Sequence, residues 1–166
     1  QRARKLRGNE ADKAAEKGIS QLVDRNTVRG RRYDSLTAEE RNSAIGLHMF
    51  LKEKFADGVY SLMKGRTVAL GNEQDRSQYT HEDTSAPTVS LLALMIIVVI
   101  ALKLCMCTMS FDVTGAYLYA KVKKKIVVKF PPHLAKILLK VAPSFREFLA
   151  PNGCIYCDLI GALYGT

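Results

Sequence analysis

The chain has 166 residues, 48% of them hydrophobic, so it is long enough for one core of ordinary size and gives no reason to expect two domains. Its 25 Lys and Arg residues outnumber its 16 Asp and Glu residues, which gives a formal net charge of +9. This balance favours polyanionic partners, either nucleic acid or an acidic membrane surface, and charge alone does not choose between them.

The first 34 residues are rich in Arg, Lys, Ala and Gly and contain few large apolar side chains. Such a composition buries too little apolar surface to offset the entropy of ordering, so residues 1–34 are expected to form a disordered basic arm. Residues 35–166 are expected to form the folded domain. Thr37 and Glu40 have the spacing of a capping box, which predicts a short helix ending near Ile45.

Residues 47–70 contain two apolar runs separated by Asp57-Gly58, which is the typical sequence of a tight hairpin turn. The polar stretch 71–83 predicts a loop, and a helix is expected from about Pro87 to Leu104. Residues 84–102 are uncharged. Because a membrane-spanning helix needs about 20 apolar residues, this segment fits either a borderline membrane span or a helix buried in a protein core.

The second half of the chain alternates between predicted strands and helices. Strands are expected over 105–112, 126–130 and 154–159, with a turn at 151–153 before the last strand. Apolar residues at helical spacing predict a helix over 133–141, and one or two further helical turns are expected over 144–150. Since these elements alternate without an internal repeat, the predicted fold class is α+β.

The four cysteines form the close pairs Cys105/Cys107 and Cys154/Cys157. No signal peptide precedes them, which favours free thiols in a reduced intracellular setting, cytoplasmic or nuclear. Zinc is the alternative interpretation, but two CxxC knuckles would indicate it more strongly than the CxC pair present here.

A single carboxylate, Asp112, follows the predicted strand 105–112 and precedes small residues and Tyr117. An isolated buried carboxylate is costly, so Asp112 needs a cation or a basic neighbour if it lies inside the protein. Spacing alone favours an ordinary acidic turn residue.

Several stretches between Ser35 and Thr166 read, in chain order, SLTAEER, MFLKEKF with DG, LMKGRTVALG, QDRSQY, TSAPTVS, the apolar helix, DVTGAYLYA and CDLIGALYG. Together they resemble copia-type retrotransposon reverse transcriptases. The resemblance implies the fingers and first part of the palm of an RNA-directed DNA polymerase, with an incomplete antiparallel sheet backed by helices. It also implies that residues 84–104 support the palm and do not cross a membrane.

The resemblance implies roles for five residues. Lys64 and Arg66 would lie over the triphosphate of the incoming deoxynucleotide, where cations stabilise phosphoryl transfer. Asp112 would bind both catalytic Mg²⁺ ions, and the Val113 carbonyl would be a further ligand of one ion. Tyr117 would lie beneath the nucleotide sugar and exclude a 2′-hydroxyl. The alternatives are solvated cations for the first pair and a core aromatic for Tyr117.

The implied partners are an RNA/DNA template-primer and deoxynucleotides, with no specific protein partner. A lysine-rich run after the DVTGAYLYA stretch would contact the nucleic-acid backbone without reading sequence, or would form a solvated turn. The aromatic residues that could stack on bases are Phe50, Phe55, Tyr60, Tyr79, Tyr119 and Tyr156. The lysines are Lys121, Lys123, Lys124 and Lys125.

The sequence also departs from the family pattern. Two-metal catalysis needs a cage of carboxylates, and no Asp-Asp pair occurs anywhere in the chain. Catalysis by this chain alone is therefore not expected, whatever the family's activity. Two alternatives remain: a non-catalytic basic nucleic-acid-binding remnant, and a single-pass membrane protein using residues 84–104. An uncovered apolar helix and sheet edge would also make the chain poorly soluble.

Overall fold

Five strands form one mixed sheet in the residues that the computed structural model describes, which are 8–73, 88–111, 113, 116–122 and 124–165. Along the sheet the strand order is β1-β5-β4-β2-β3. The bounds are β1 Val28–Arg31, β2 Ile45–Ala56, β3 Val59–Ala69, β4 Val127–Phe130 and β5 Ile155–Leu159.

The sheet confirms the α+β class, but it is not entirely antiparallel. Three neighbouring pairs are antiparallel, whereas β2 and β4 run parallel through Ile45 opposite Val128 and Gly46 opposite Lys129. The expected incomplete antiparallel sheet is therefore a mixed sheet. A parallel pair needs a long crossover between its strands, and here about 70 residues separate β2 from β4.

Four α-helices accompany the sheet in the described part of the chain, together with short 3-10 turns. The helices are α1 Gly8–Asp24, α2 Ala38–Asn42, α3 Leu91–Lys103 and α4 Pro132–Val141. The 3-10 turns are Tyr33–Ser35, Gly71–Glu73, Ala116–Tyr119 and Pro143–Phe148. Two compact units result, one built from 1–74 with 115–166 and the other from 75–114.

The expected disordered arm is wrong for residues 8–31, because α1 and β1 belong to the core. Ile19 and Leu22 of α1 are buried, and β1 pairs with β5 along its whole length. The buried positions of α1 recur at helical spacing and include Ala11 and Ala14. Small side chains let a helix approach its neighbours closely, so a segment with few large apolar residues still packs.

The core lies on both faces of the sheet. One cluster joins α1 and α4 to the strands through residues such as Phe130, Leu138 and Ile155, all fully buried. A smaller cluster on alternate strand positions includes Val127 and Tyr156. Because successive side chains of a strand point to opposite faces, β4 and β5 contribute to both clusters and are covered on both sides.

Local turn and cap signals formed as the sequence predicts. Thr37 and Glu40 make the full capping box of α2, with N···O distances of 3.0 and 3.1 Å. Asp57 and Gly58 both have positive φ, as a two-residue hairpin turn of type I′ requires. A register shift between Lys54 and Phe55 interrupts the hairpin ladder.

The unit 75–114 differs from the prediction at both ends of its helix. The helix α3 begins after Ser90, whose hydroxyl caps Ala93 N–H, and not near Pro87. Residues 105–111 form no strand: Cys105 has φ of 51°, which turns the chain, and no ladder partner lies opposite among the described residues. Ala101 is the one buried residue within α3. None of the helices described here is long and apolar enough to span a bilayer.

Gly65 allows β3 to contact the backbone of α1. A Cβ atom at Gly65 would overlap the carbonyl oxygen of Ala14, and a Cβ atom at Gly18 would lie 3.1 Å from the carbonyl oxygen of Gly65. The two glycines face each other across the helix–strand contact. Any larger residue at position 65 must therefore push the helix away from the hairpin.

We predict that Gly65→Ala lowers the free energy of unfolding by about 1–3 kcal/mol, because the added methyl group displaces backbone atoms of α1. Urea denaturation of both proteins measures the difference. Gly8→Ala is the matched control, since a Cβ atom there meets nothing within 4 Å. Equal urea midpoints for Gly65→Ala and the wild type would contradict the close contact.

Candidate nucleic-acid interface

The hairpin of β2 and β3 has one covered face and one open face. Met63 and Thr67 of β3 are buried, and Met63 clusters with Ala11 and Ala14 of α1. Lys64 and Arg66 alternate with these buried residues and are exposed. Side-chain alternation therefore places both predicted phosphate-binding cations together on the face opposite α1.

The register of the hairpin adds residues of β2 to this open face. Lys52 lies opposite Lys64, and Phe50 lies opposite Arg66. Directly opposed residues of an antiparallel pair project from the same face. We call this surface the basic hairpin face and define it by the exposed residues His48, Phe50, Lys52, Lys54, Leu62, Lys64 and Arg66.

The end of β3 contacts the Ala-Leu-Tyr-Gly stretch at the other end of the chain. The guanidinium carbon of Arg66 lies 5.6 Å from the centre of the Tyr164 ring, a cation–π arrangement. The Ala69 N–H donates to the Tyr164 carbonyl at 2.8 Å. Gly165 has φ of 92° and leaves no room for a Cβ atom beside the Ala69 carbonyl. Arg66 is thus held beside this stretch.

The same stretch and Ile160 just before it bond to Ala120, the last residue of the DVTGAYLYA stretch, and to Val122 beyond it. The Ala162 N–H donates to the Ala120 carbonyl at 2.7 Å, and the Val122 N–H donates to the Ile160 carbonyl at 3.0 Å. Residues 160–165 therefore lie between the end of β3 and residues 118–122, all within one compact unit. Three stretches that are far apart in sequence meet here.

Thr27 fixes the start of the 160–165 stretch by two backbone hydrogen bonds. Its carbonyl accepts hydrogen bonds from the N–H groups of Ile160 and Gly161, at 2.8 and 3.1 Å. Its side chain is completely buried, and the hydroxyl Oγ1 has no hydrogen-bond partner in the described structure. Burial removes water from this hydroxyl, and no hydrogen bond within the protein offsets the cost of that desolvation.

We predict that Thr27→Val raises the free energy of unfolding by about 1 kcal/mol, because valine keeps the shape and removes the unsatisfied hydroxyl. Thermal and urea unfolding measure the change. Thr27→Ser is the matched control: it keeps the hydroxyl, loses a buried methyl group and should be less stable than the wild type. A valine variant less stable than the serine variant would show that the hydroxyl has a partner.

An ion cluster engages one end of the lysine-rich run. Lys125 Nζ pairs with Glu40, and one Arg31 nitrogen lies 3.1 Å from Glu40 and 3.2 Å from Asp158. The hydrogen bond from Lys125 is the main reason that the pKa of Glu40 falls to about 2, with further contributions from the Thr37 N–H and Arg31. The cluster ties α2, β1 and β5 to the lysine-rich run.

Lys121, Lys124 and Lys125 line a shallow cleft together with Asp158. Lys125 is paired with Glu40. Lys123, the fourth lysine of the run, lies outside the described residues. An acid within the cleft and an ion pair at its edge reduce its positive potential. Phosphate binding by Lys121, Lys123, Lys124 and Lys125 therefore stays a prediction, and the basic hairpin face is the stronger candidate.

We predict that Glu40→Gln lowers stability at neutral pH and that this loss fades as the pH falls from 4.5 towards about 2. The folded pKa of Glu40 lies below its ordinary value of 4.5, so its contribution is present above 4.5 and disappears when the carboxylate is protonated. Gln keeps the capping box. Urea midpoints measured across this range test the idea, with Glu39→Gln as control; a loss that does not vary with pH would contradict it.

The predicted metal ligands are only partly within the described structure. Asp112 lies outside the described residues, and Val113 is 51% exposed within the unit 75–114. Tyr117 is in the 3-10 turn Ala116–Tyr119, and its side chain lies outside what the structure describes. The described residues contain no group of three or more His, Cys, Asp or Glu side chains that could hold a metal ion.

The cysteines do not form disulfides. Cys105 and Cys107 are exposed, whereas Cys157 is completely buried in the core. Burial raises the pKa of the Cys157 thiol, since a thiolate would be poorly solvated there. Cys157 is therefore a packing residue.

Sequence reasoning identified Lys64 and Arg66 but missed Lys52 and Lys54 as part of the same surface. A two-residue turn at Asp57-Gly58 would, without a bulge, place Leu51 opposite Lys64. The register shift between Lys54 and Phe55 moves the pairing by one residue and brings Lys52 opposite Lys64 instead. No sequence signal specifies that shift.

The chain has sequence relatives among the proteins of retrotransposons. It is similar to two Saccharomyces cerevisiae proteins, the truncated transposon Ty1-A Gag-Pol polyprotein and the transposon Ty1-LR3 Gag-Pol polyprotein. Each is 32% identical over 123 residues, which is 73% of this chain. The chain spans only 10% and 7% of the length of these relatives.

Two further comparisons found nothing. No family model matches the chain, and no solved structure matches it. The similarity to these two polyproteins is therefore a similarity of sequence alone.

Proposed function

We propose that this chain is the fingers and first palm part of a retroelement reverse transcriptase, and that its family function is RNA-directed DNA synthesis. The observation that carries the proposal is the 32% identity to Gag-Pol polyproteins over 123 residues. The contact between the LMKGRTVALG stretch and the Ala-Leu-Tyr-Gly stretch supports it, because motifs of one active site must meet in space.

In this proposal Lys64 and Arg66 bind the triphosphate of the incoming deoxynucleotide. Both are exposed on one face of β3, two residues apart, so their charges point into the same region. A guanidinium group can contact two phosphate oxygens at once, whereas lysine contributes a mobile point charge. The Tyr164 ring restricts Arg66 and so lowers the entropy lost on binding.

The residues present do not complete a two-metal site. Asp112 would bind Mg²⁺ together with the Val113 carbonyl, and Tyr117 would lie beneath the nucleotide sugar. Two-metal catalysis needs additional carboxylates, and the sequence contains no Asp-Asp pair. We therefore assign nucleotide and template binding to this chain, and we propose no metal-dependent step for it alone.

A second candidate function is non-catalytic binding of nucleic acid by a basic remnant of the polymerase. The four cations on one face of the hairpin, Lys52, Lys54, Lys64 and Arg66, favour it, because they suit phosphate binding without any chemistry. In that case template-primer binding persists, but the complementary deoxynucleotide has no preferred site.

Photo-cross-linking of a deoxynucleotide to the chain bound to an RNA template and DNA primer separates these functions. We predict that the nucleotide complementary to the next template base cross-links preferentially, and that Lys64→Gln/Arg66→Gln reduces this cross-linking at least tenfold. Each lost charged phosphate contact is expected to weaken binding by about 1.5–3 kcal/mol. Lys17→Gln/Lys136→Gln is the control, with the same change in charge on exposed helix positions.

Equal cross-linking of complementary and non-complementary nucleotides would reject the polymerase proposal and leave the binding remnant. Primer extension with Mg²⁺ adds a second result. The chain alone should not extend the primer, whereas a longer chain that also carries paired aspartates should. Extension by the present chain that is lost in Asp112→Asn would show that another molecule completes the metal site.

A further inference from the structure

We propose that Cys105, Cys107 and Met109 form a binding site for a soft monovalent metal ion, Cu(I). The three residues occupy alternate positions of one short segment, CMCTM, directly after α3. All three lie within the unit 75–114, so the site needs no residue from the other unit. The inference does not rest on the proposed function, because no nucleotide or nucleic-acid contact enters it.

The end of α3 directs the chain away from the helix at the first of these residues. The Met106 N–H donates to the Ala101 carbonyl at 2.8 Å. The Cys105 N–H donates to the Leu102 carbonyl at 3.2 Å. These two bonds form the Schellman pattern that ends many helices, and Cys105, with φ of 51°, occupies the position where glycine is usual. The helix therefore ends immediately before the segment.

Both thiols of the segment are accessible to an ion. Cys105 and Cys107 are exposed, although free cysteine is among the residue types that proteins bury most often. Residues 106–111 form neither helix nor strand, so no regular element holds the two side chains apart. Because two residues of extended chain span at most about 7 Å, both thiol groups can contact a single ion.

Met109 supplies a third sulfur. Its side chain is 87% exposed, so packing in a core does not account for it. Met106 is in a different situation, because the residue at its place in the Schellman pattern commonly packs its side chain on the last helical turn. Ala101, whose carbonyl accepts from Met106, is the buried residue of that turn. We therefore assign Met109, and not Met106, to the metal.

The chemistry of these ligands selects Cu(I). Thiolate and thioether sulfurs are soft ligands, which suit Cu(I). Zinc is usually held by four ligands from Cys, His, Asp and Glu, and the described residues contain no group of three or more of these side chains. Iron–sulfur clusters are held by four cysteines. Each thiol loses a proton on binding, so two thiolates and one Cu(I) carry a single net negative charge.

The other two cysteines cannot form such a site. Cys157 is completely buried in the main core cluster, whereas Cys154 is half-buried against a different cluster that includes Val127 and Tyr156. An ion would reach Cys157 only if β5 left the sheet. Cys154 is therefore a suitable control for the exposed thiols.

Competition for Cu(I) with the chelator bathocuproine disulfonate, without oxygen and with excess glutathione, tests the thiols. The wild type should retain Cu(I) against glutathione. Cys105→Ser and Cys107→Ser should each weaken binding by about a hundredfold or more, beyond the loss typical of a residue that only supports a ligand. Cys154→Ser is the matched control and should leave the affinity unchanged. Thermal midpoints of all variants verify folding.

The variants Met109→Leu and Met106→Leu test the thioether. Leucine has a similar volume to methionine, so each variant removes a sulfur atom with little change in size. Met109→Leu should weaken Cu(I) binding by about tenfold, and Met106→Leu should leave it nearly unchanged. X-ray absorption at the copper edge gives a second measurement: the copper should have three sulfur neighbours in the wild type and two in Met109→Leu.

Equal affinities of the Cys105→Ser and Cys154→Ser variants would overturn the inference, as would complete loss of Cu(I) from the wild type to glutathione. Equal effects of the two methionine variants would reject the three-sulfur site. Tighter binding of Zn²⁺ than of Cu(I) by the wild type would reject the selection of Cu(I). Nucleotide cross-linking involves none of these residues, so failure here is distinct from failure of the proposed function.

Discussion

The hydrogen bond from the Ala69 N–H to the Tyr164 carbonyl connects the hairpin with the C-terminal part of the sheet. Only two residues at the start of β2 pair with β4, so most of the hairpin extends beyond the central strands. The bond to Tyr164 and the packing of α1 on β3 therefore fix its direction. Without them, Arg66 would have no defined position relative to residues 118–122.

Close backbone contacts require glycine within the hairpin and directly after it. Gly65 allows α1 to approach from one side, and Gly71 lies so close to Gly165 that a side chain would overlap its carbonyl. Each of these is a contact between backbones, which a Cβ atom would prevent. The hairpin is thus positioned by close backbone contacts at its middle and at its end.

Cationic side chains of this protein occur in two different surroundings. Around Glu40, cations from β1 and from the lysine-rich run are neutralised by acids and hold α2 and β5 together. On the basic hairpin face, the strands present Lys52, Lys54, Lys64 and Arg66 on one side without an acid between them. The first arrangement stabilises the fold, and the second creates a potential that attracts a polyanion.

The sequence by itself determined the local elements. The capping box of Thr37 and Glu40, the Asp57-Gly58 turn and α4 formed as predicted, because the signals for each lie in neighbouring residues. Tertiary contacts decided the rest. They ordered α1 through small side chains, and they placed residues 160–165 between two distant motifs. The hairpin register was also visible only in the structure, and it matters because one residue of shift moves every side chain of a strand to the opposite face.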